Sequence, residues 1–262
     1  MFIAGFVIFV IVILVAAFAD QVAIRSYRAM DMSNRLAPPS SEHPFGTDQY
    51  GRCLFSRVVY GSRIALRVGL IVVLIQGAIG ITLGLIAGYM GGFADRIVSF
   101  ITDVTWAMPP IVLAMAIVMA LGPSLDNVII AIAIISWAEM ARVVRAKTQA
   151  VKSLPYVEAA TAIGRTGPGI VLNHILPNIM SPILVLSTLS LPGAILSTTA
   201  LSFLGLGSQP PQPDWGVILR DGITYMETAP WISVIPGLAI VWTVLGFNLL
   251  GVGLRDVLDP KV

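Results

Sequence analysis

The stretch Ile64–Tyr89 reads IALRVGLIVVLIQGAIGITLGLIAGY, with Arg67 as its single charge. A helix crosses the hydrocarbon core of a bilayer with about 20 apolar residues, so this segment is long enough to span. Its apolar residues run on without alternating, which excludes a strand of a membrane barrel. Lipid offers the backbone no hydrogen-bond partner, so the segment must satisfy its own N–H and C=O groups as a helix. Gly80, Gly84 and Gly88 recur at four-residue spacing. They leave a bare face where another helix backbone can approach closely; packing is its first role, and a place in a substrate path is the alternative.

Working outward, comparable runs occur at Phe2–Ala19, Ile97–Leu121, Val128–Ala141, Ile179–Leu206 and Trp231–Val252. The chain is 56% hydrophobic and only 11% charged, against about 25% charged in an ordinary soluble domain. The expected fold is all-α and integral to the membrane, with about six spans. Phe2–Ala19 is longer than the 7–15 residues of a signal-peptide core and has no basic flank, so it reads as a retained span. Pro109-Pro110 should kink the third span. Pro182, Pro192-Gly193 and Pro236-Gly237 should interrupt the fifth and sixth. Asp20–Arg63 and Gly207–Thr228 read as polar extramembrane segments. Within the first, Asp48–Gly61 suits either a helix lying on the membrane surface or a plain lead-in to the next span. Residues 1–60 therefore form one unit, a span plus an external segment, and 61–254 the main transmembrane domain.

Several chemistries are excluded or left without residues. A net charge of +2 leaves no electrostatic footprint for nucleic acid. Cys53 is the lone cysteine and His43 and His174 are far apart, so neither a disulfide framework nor a metal site is expected. No Gly-Lys pair occurs, so the chain lacks the usual phosphate-binding loop. Ser208 and the other serines have no histidine nearby in sequence. The chain is not expected to be an enzyme. Asp103 and Glu139 are the ionisable residues nearest the membrane interior, and such residues are functional candidates by default. Both lie near expected span ends, which favours interfacial placement and interhelical pairing over a role toward substrate.

The longest polar interval of the second half holds the unusual element, Ser153–Pro177. Ser153 can cap a helix and Pro155 fits a first turn. Gly164 can end it in the left-handed conformation, and Gly167-Pro168-Gly169 then reverses the chain. Tyr156, Ala160 and Ile163 share a face by 3.6-residue periodicity, and Ala159, Ala160 and Ala162 keep the helix thin. So short a helix is marginal alone; a thin, semi-apolar one suits a groove on a partner, and an ordinary connector is the plainer alternative.

Glu158-Ala159-Ala160, then Gly164, then Ile175-Leu176-Pro177 resembles the EAA loop of binding-protein-dependent ABC importer permeases, with His174 standing where an aliphatic residue is usual. His43-Pro44-Phe45-Gly46-Thr47-Asp48, Gly88-Tyr89-Met90-Gly91-Gly92 and Ser202-Phe203-Leu204-Gly205-Leu206-Gly207 with Gln209-Pro210-Pro211 look like the peptide and nickel class. Over roughly residues 40–258 the pattern is similar to the C-type subunit of dipeptide and oligopeptide importers. Such subunits commonly begin with a basic cytoplasmic stretch, and this sequence starts inside its first span.

The resemblance implies a type I importer permease fold with a cytoplasmic coupling helix. It implies a homologous B-type permease partner, two cytoplasmic ATPase subunits that bind the ATP and magnesium, and an external substrate-binding protein. This chain itself would carry no cofactor. The ATPase-coupling residues would be Tyr156, Glu158, Ala159, Ala160, Ile163, Gly164, Leu176 and Pro177. Glu158 is the candidate polar contact, with pairing to Arg165 as its alternative role; Gly164 supplies backbone shape. Peptides are the implied cargo, with nickel, glutathione or another small solute as alternatives, and a secondary transporter is the rival of another class. The resemblance also places both termini in the cytoplasm of a prokaryote. Charge counting alone does not: Arg96, Arg142, Arg145, Lys147, Lys152, Arg165, Arg255 and Lys261 on one side oppose seven arginines on the other, too even for the positive-inside rule.

Overall fold

The computed structural model describes residues 1–258, so Lys261 lies outside the described residues. The main helices are α1 (Phe2–Ala17), α2 (Leu54–Met90), α3 (Gly92–Trp106), α4 (Pro110–Leu121), α5 (Leu125–Lys152), α6 (Pro155–Ala162), α7 (Gly167–Phe203), α8 (Trp215–Ile223) and α9 (Trp231–Leu258), with short turns at Ala19–Val22 and Met32–Asn34. Among the described residues the one bridge between extended segments, Thr47 with Cys53, is isolated. By length and apolarity α2, α5, α7 and α9 can each cross a membrane, and α3 with α4 makes a fifth span bent by 89°. The segment expected as the first span is an apolar helix of 16 residues, about 24 Å long at 1.5 Å per residue. Leu70, Leu74, Phe100, Met119 and Val241 stand exposed on the outside of the bundle. Such a surface suits lipid and would be a liability in water. The chain is a multi-pass membrane protein.

Several boundaries differ from expectation for local reasons. The third span is two helices, not one kinked helix. Pro109 is extended (ψ 125°) and Pro110 opens α4, because a residue before proline is driven out of the helical region. Pro192 and Pro236, expected to interrupt their spans, sit inside helices that continue. No separate surface helix forms at Asp48–Gly61. Residues 48–53 make a turn, and α2 runs unbroken from Leu54 to Met90. Helix α5 continues eleven residues past Ala141 because its cations are paired to α3. Arg142 reaches Asp103 at 3.1 Å and Arg145 donates to Asp95 at 2.8 Å. The polar segment 207–228 contains α8, which the sequence reading missed. Asp214 caps it by accepting from the Gly216 N–H at 2.8 Å.

The glycine face of α2 packs, as its spacing predicts. A Cβ on Gly80 would lie 2.6 Å from Met140 Cβ, one on Gly84 2.7 Å from Val144 Cβ, and one on Gly88 2.6 Å from Thr148 Cβ. Numbers rise together on both helices, so α2 and α5 run parallel. Helix α1 instead meets α9 in reverse: Phe2 against Gly253, Gly5 against Leu249 and Leu250, Ile8 against Gly246. Helix α7 also runs against α9, with Leu189 on Gly251 and Ser181 Oγ donating to the Leu258 carbonyl at 3.0 Å. These pairings define two ends of the bundle. One end gathers Phe2, Met90, Lys152, α6, the start of α7 and Leu258. The other gathers the chain after α1, the starts of α2 and α5, and α8. The segment 20–53 folds onto this second end: Trp231 Nε1 donates to the Thr47 carbonyl at 3.2 Å, and Trp215 Nε1 to that of Val58 at 2.9 Å.

Candidate functional site

Helix α6 begins where the sequence says it can. Leu154 is extended and Pro155, which has no N–H to satisfy, opens the first turn. It closes in a Schellman motif: Arg165 N–H donates to the Ala160 carbonyl at 3.2 Å and Gly164 N–H to that of Thr161 at 3.0 Å. Gly164 sits at φ +81° with nothing within 4 Å of where a Cβ would be. Its conformation favours glycine; its surroundings do not demand it.

The faces of α6 differ from the periodicity reading. Tyr156, Ala160 and Ile163 do not share one surface. Ala160 is buried beside Val157, while Ile163 is 80% exposed and Tyr156 half-exposed. Val157 joins Leu85, Met140, Val144, Ile170, Ile175, Ile179 and Ile183 in one apolar cluster that ties α6 to α2, α5 and α7. The outer face then carries Glu158, Ala159, Ala162 and Ile163, all exposed. Among the described residues Glu158 has no ion pair, so the alternative pairing with Arg165 is not made; Tyr156 Oη reaches the His174 carbonyl at 3.5 Å. A groove of about 980 Å³ runs between α6 and the ends of α2 and α5, with Tyr89, Lys152 and Glu158 on its walls. Lys152 Nζ donates to the Tyr89 carbonyl at 2.7 Å and stacks on that ring.

Leu176 and Pro177 stand apart from α6 in sequence but close in the fold. The start of α7 is one α-turn, a π-turn at Val171–Ile175 and a 3₁₀-turn at Leu176–Ile179. Pro177 has no N–H for the regular ladder. Side-chain amides occupy carbonyls around it: Asn178 Nδ2 donates to His174 O at 2.6 Å and Asn173 Nδ2 to Gly169 O at 2.9 Å. Leu176 packs on the same apolar cluster as Val157. Sequence alone did not expose this irregular start, although a proline flanked by asparagines is its signal.

The opposite end is rigidly built. Asp48 accepts from Arg52 Nε at 2.6 Å and lies 3.5 Å from Arg57 Nε, all three buried. Gln49 Nε2 reaches Asp221 Oδ2 at 3.4 Å, linking this segment to α8. Asp214 is buried and accepts from Ser202 and Ser208 at 2.9 and 2.8 Å. Burial nevertheless outweighs those bonds and raises its carboxyl above the usual range.

Residues 80–262 match the family model described as "Binding-protein-dependent transport system inner membrane component". The chain is 47% identical to the dipeptide transport system permease protein DppC of Alkalihalophilus pseudofirmus, over 99% of this chain and 86% of that protein. It is 47% identical to the glutathione transport system permease protein GsiD of Pectobacterium atrosepticum, over 86% and 74%. It is 42% identical to the probable D,D-dipeptide transport system permease protein DdpC of Escherichia coli, over 97% and 86%.

Proposed function

The chain belongs to the family of binding-protein-dependent transport system inner membrane components, and from that premise we propose that it is the C-type permease subunit of an ATP-driven importer carrying dipeptides and oligopeptides across a prokaryotic cytoplasmic membrane. The observation that carries this reading is α6. It is a capped helix seated by Val157 and Ala160 on the bundle, with Glu158, Ala159, Ala162 and Ile163 presented outward at one end. An outward face with an unpaired carboxylate and an exposed isoleucine suits a groove on a partner.

In this reading α6 is the coupling helix, with Tyr156, Glu158, Ala159, Ala160, Ile163, Gly164, Leu176 and Pro177 as the coupling loop. Two ATPase subunits hold the ATP and magnesium in the cytoplasm, and one of them docks on α6; this chain holds neither. The end bearing α6, Phe2 and Leu258 is cytoplasmic. The binding protein docks on the end built from residues 20–53 and α8. A homologous B-type permease completes the pore, with residues 61–254 of this chain as its share. Tilting α6 pulls on the cluster it shares with α2, α5 and α7, so force passes to three spans through packed side chains. The 89° break between α3 and α4 and the π-turn of α7 are places where a two-state bend costs little new backbone disruption.

The relatives that are named dipeptide permeases support peptide cargo. Those named glutathione permeases support a second reading, import of the tripeptide glutathione. Competition of labelled dipeptide uptake by glutathione separates the two. The coupling assignment predicts that Glu158→Lys or Gly164→Asp abolishes vanadate-sensitive uptake while the protein still inserts. Uptake that survives both substitutions refutes it. Uptake that resists ATP depletion but collapses with the proton gradient would instead establish a secondary transporter.

A further inference from the structure

Glu139 has no ion-pair partner among the described residues, although it sits midway along α5. Asp103 makes the interhelical pairing expected of both residues: Arg142, one turn on from Glu139, is drawn to it and lies over the Trp106 ring. Glu139 lines a cavity of about 380 Å³ together with Gln76, Ser136, Ser190, Ser197 and Trp106. That volume is within the usual range for small-molecule sites.

The hydrogen-bonding state of the wall decides what fits. Gln76 is fully buried on α2, and its Nε2 donates to Ser190 Oγ at 3.0 Å. Ser190 Oγ in turn donates to the Leu186 carbonyl, and Ser136 Oγ to that of Ile132, both at 2.8 Å. The donors of Gln76, Ser136 and Ser190 are spent inside the protein, while the Ser197 hydroxyl and the Trp106 N–H are left for a ligand's acceptors. Two acceptors are also uncommitted: Gln76 Oε1 is buried with no partner, and the carboxylate of Glu139, an exposed residue, has no ion pair among the described residues. A buried amide oxygen without a partner is costly, and a carboxylate in a membrane helix more so. A ligand with N–H groups and a positive charge would satisfy the carboxylate. A primary ammonium has three donors and no acceptor.

We infer that Glu139, in the cavity walled by Gln76, is a station on the translocation path that binds the free amino terminus of the cargo. This rests on the peptide-import reading above. Leu186 and Leu189 wall this cavity and also a second one of about 300 Å³ that holds Lys147 and Arg255. An acidic and a basic station thus adjoin across two leucines, an order suited to a zwitterion.

The test uses the whole importer in proteoliposomes, with the binding protein saturated by a neutral dipeptide. Glu139→Gln should lower the maximal uptake rate about tenfold, and Glu139→Asp should recover most of it. In the same complex, millimolar dipeptide should slow labelling of Glu139 by a hydrophobic carbodiimide, and the N-acetylated dipeptide should not. Wild-type uptake by Glu139→Gln, or equal protection by the acetylated peptide, overturns the station while leaving peptide import standing. Failure of Glu139→Gln to co-purify with the other permease overturns it too, by assigning the carboxylate to the subunit interface. A wild-type importer that takes up no dipeptide overturns the function reading and the station together.

Discussion

Replacing Gly164 separates backbone shape from partner contact at the end of α6. An added Cβ meets nothing within 4 Å, so Gly164→Ala carries no clash. It does force an L-residue to φ +81°, which costs about 1–2 kcal/mol. Every 1.4 kcal/mol is tenfold in an equilibrium, so the closed Schellman end should open about 5–30 times more often. The amide that reports this is Arg165 N–H, bonded to the Ala160 carbonyl. Its hydrogen exchange should speed up by that factor in Gly164→Ala and by much less in Gly164→Asn, since asparagine tolerates the left-handed region. Uptake normalised to membrane protein should rank Gly, then Asn, then Ala. If Asn and Ala were equally damaging, side-chain bulk against a partner would be the cause and the shape account would be wrong. If Ala matched Gly in exchange and uptake, the motif would have no part in coupling.

Gly84→Val would drive a side chain into Ala141 O and Val144 Cβ at 2.7 Å; overpacking of this kind costs about 1–3 kcal/mol and should lower the thermal midpoint of the detergent-solubilised chain. Asp48→Asn leaves buried Arg52 and Arg57 without their shared carboxylate, which should cost about 3–5 kcal/mol and loosen residues 20–53 to limited proteolysis, with α6 unaffected. Asp214 has a folded pKa raised by burial, so its contribution to stability is complete below the ordinary carboxylate pKa and is lost as pH rises through the raised value. Thermal midpoints of wild type minus Asp214→Asn should therefore fall with rising pH across that window; a flat difference contradicts the burial account.

Apolar run length and the glycine spacing of α2 were enough to read α2, α5, α7 and α9 and one helix seam, because both express burial directly; of the six spans expected, four or five qualify by length and apolarity. Helix ends were less legible. Arg142 and Arg145 looked like the end of a span, but their partners Asp103 and Asp95 lie on α3, some 40–50 residues away. A single sequence carries no signal of that pairing. The cap at Asp214 was legible and overlooked, since polar composition masked a nine-residue helix. On α6, spacing alone put Ala160 with Ile163. Which side met the bundle depended on Val157 finding Ile170 and Ile175 on α7, a contact made only after the chain reverses. Of the two membrane carboxylates, Asp103 makes the interhelical pairing expected of it, with Arg142, and Glu139 makes none among the described residues.

The outward face of α6 is tested most directly by disulfide or bifunctional cross-linking from single cysteines to the ATPase subunit. Cys53 is buried at the opposite end, so background should be low. Cysteines at Glu158 and Ile163 should cross-link, with a yield that changes when ATP is added, and a cysteine at Val157 should not. Cross-linking from Val157 alone, or from none of the three in an importer that still transports, would contradict the assignment of α6 as the coupling helix.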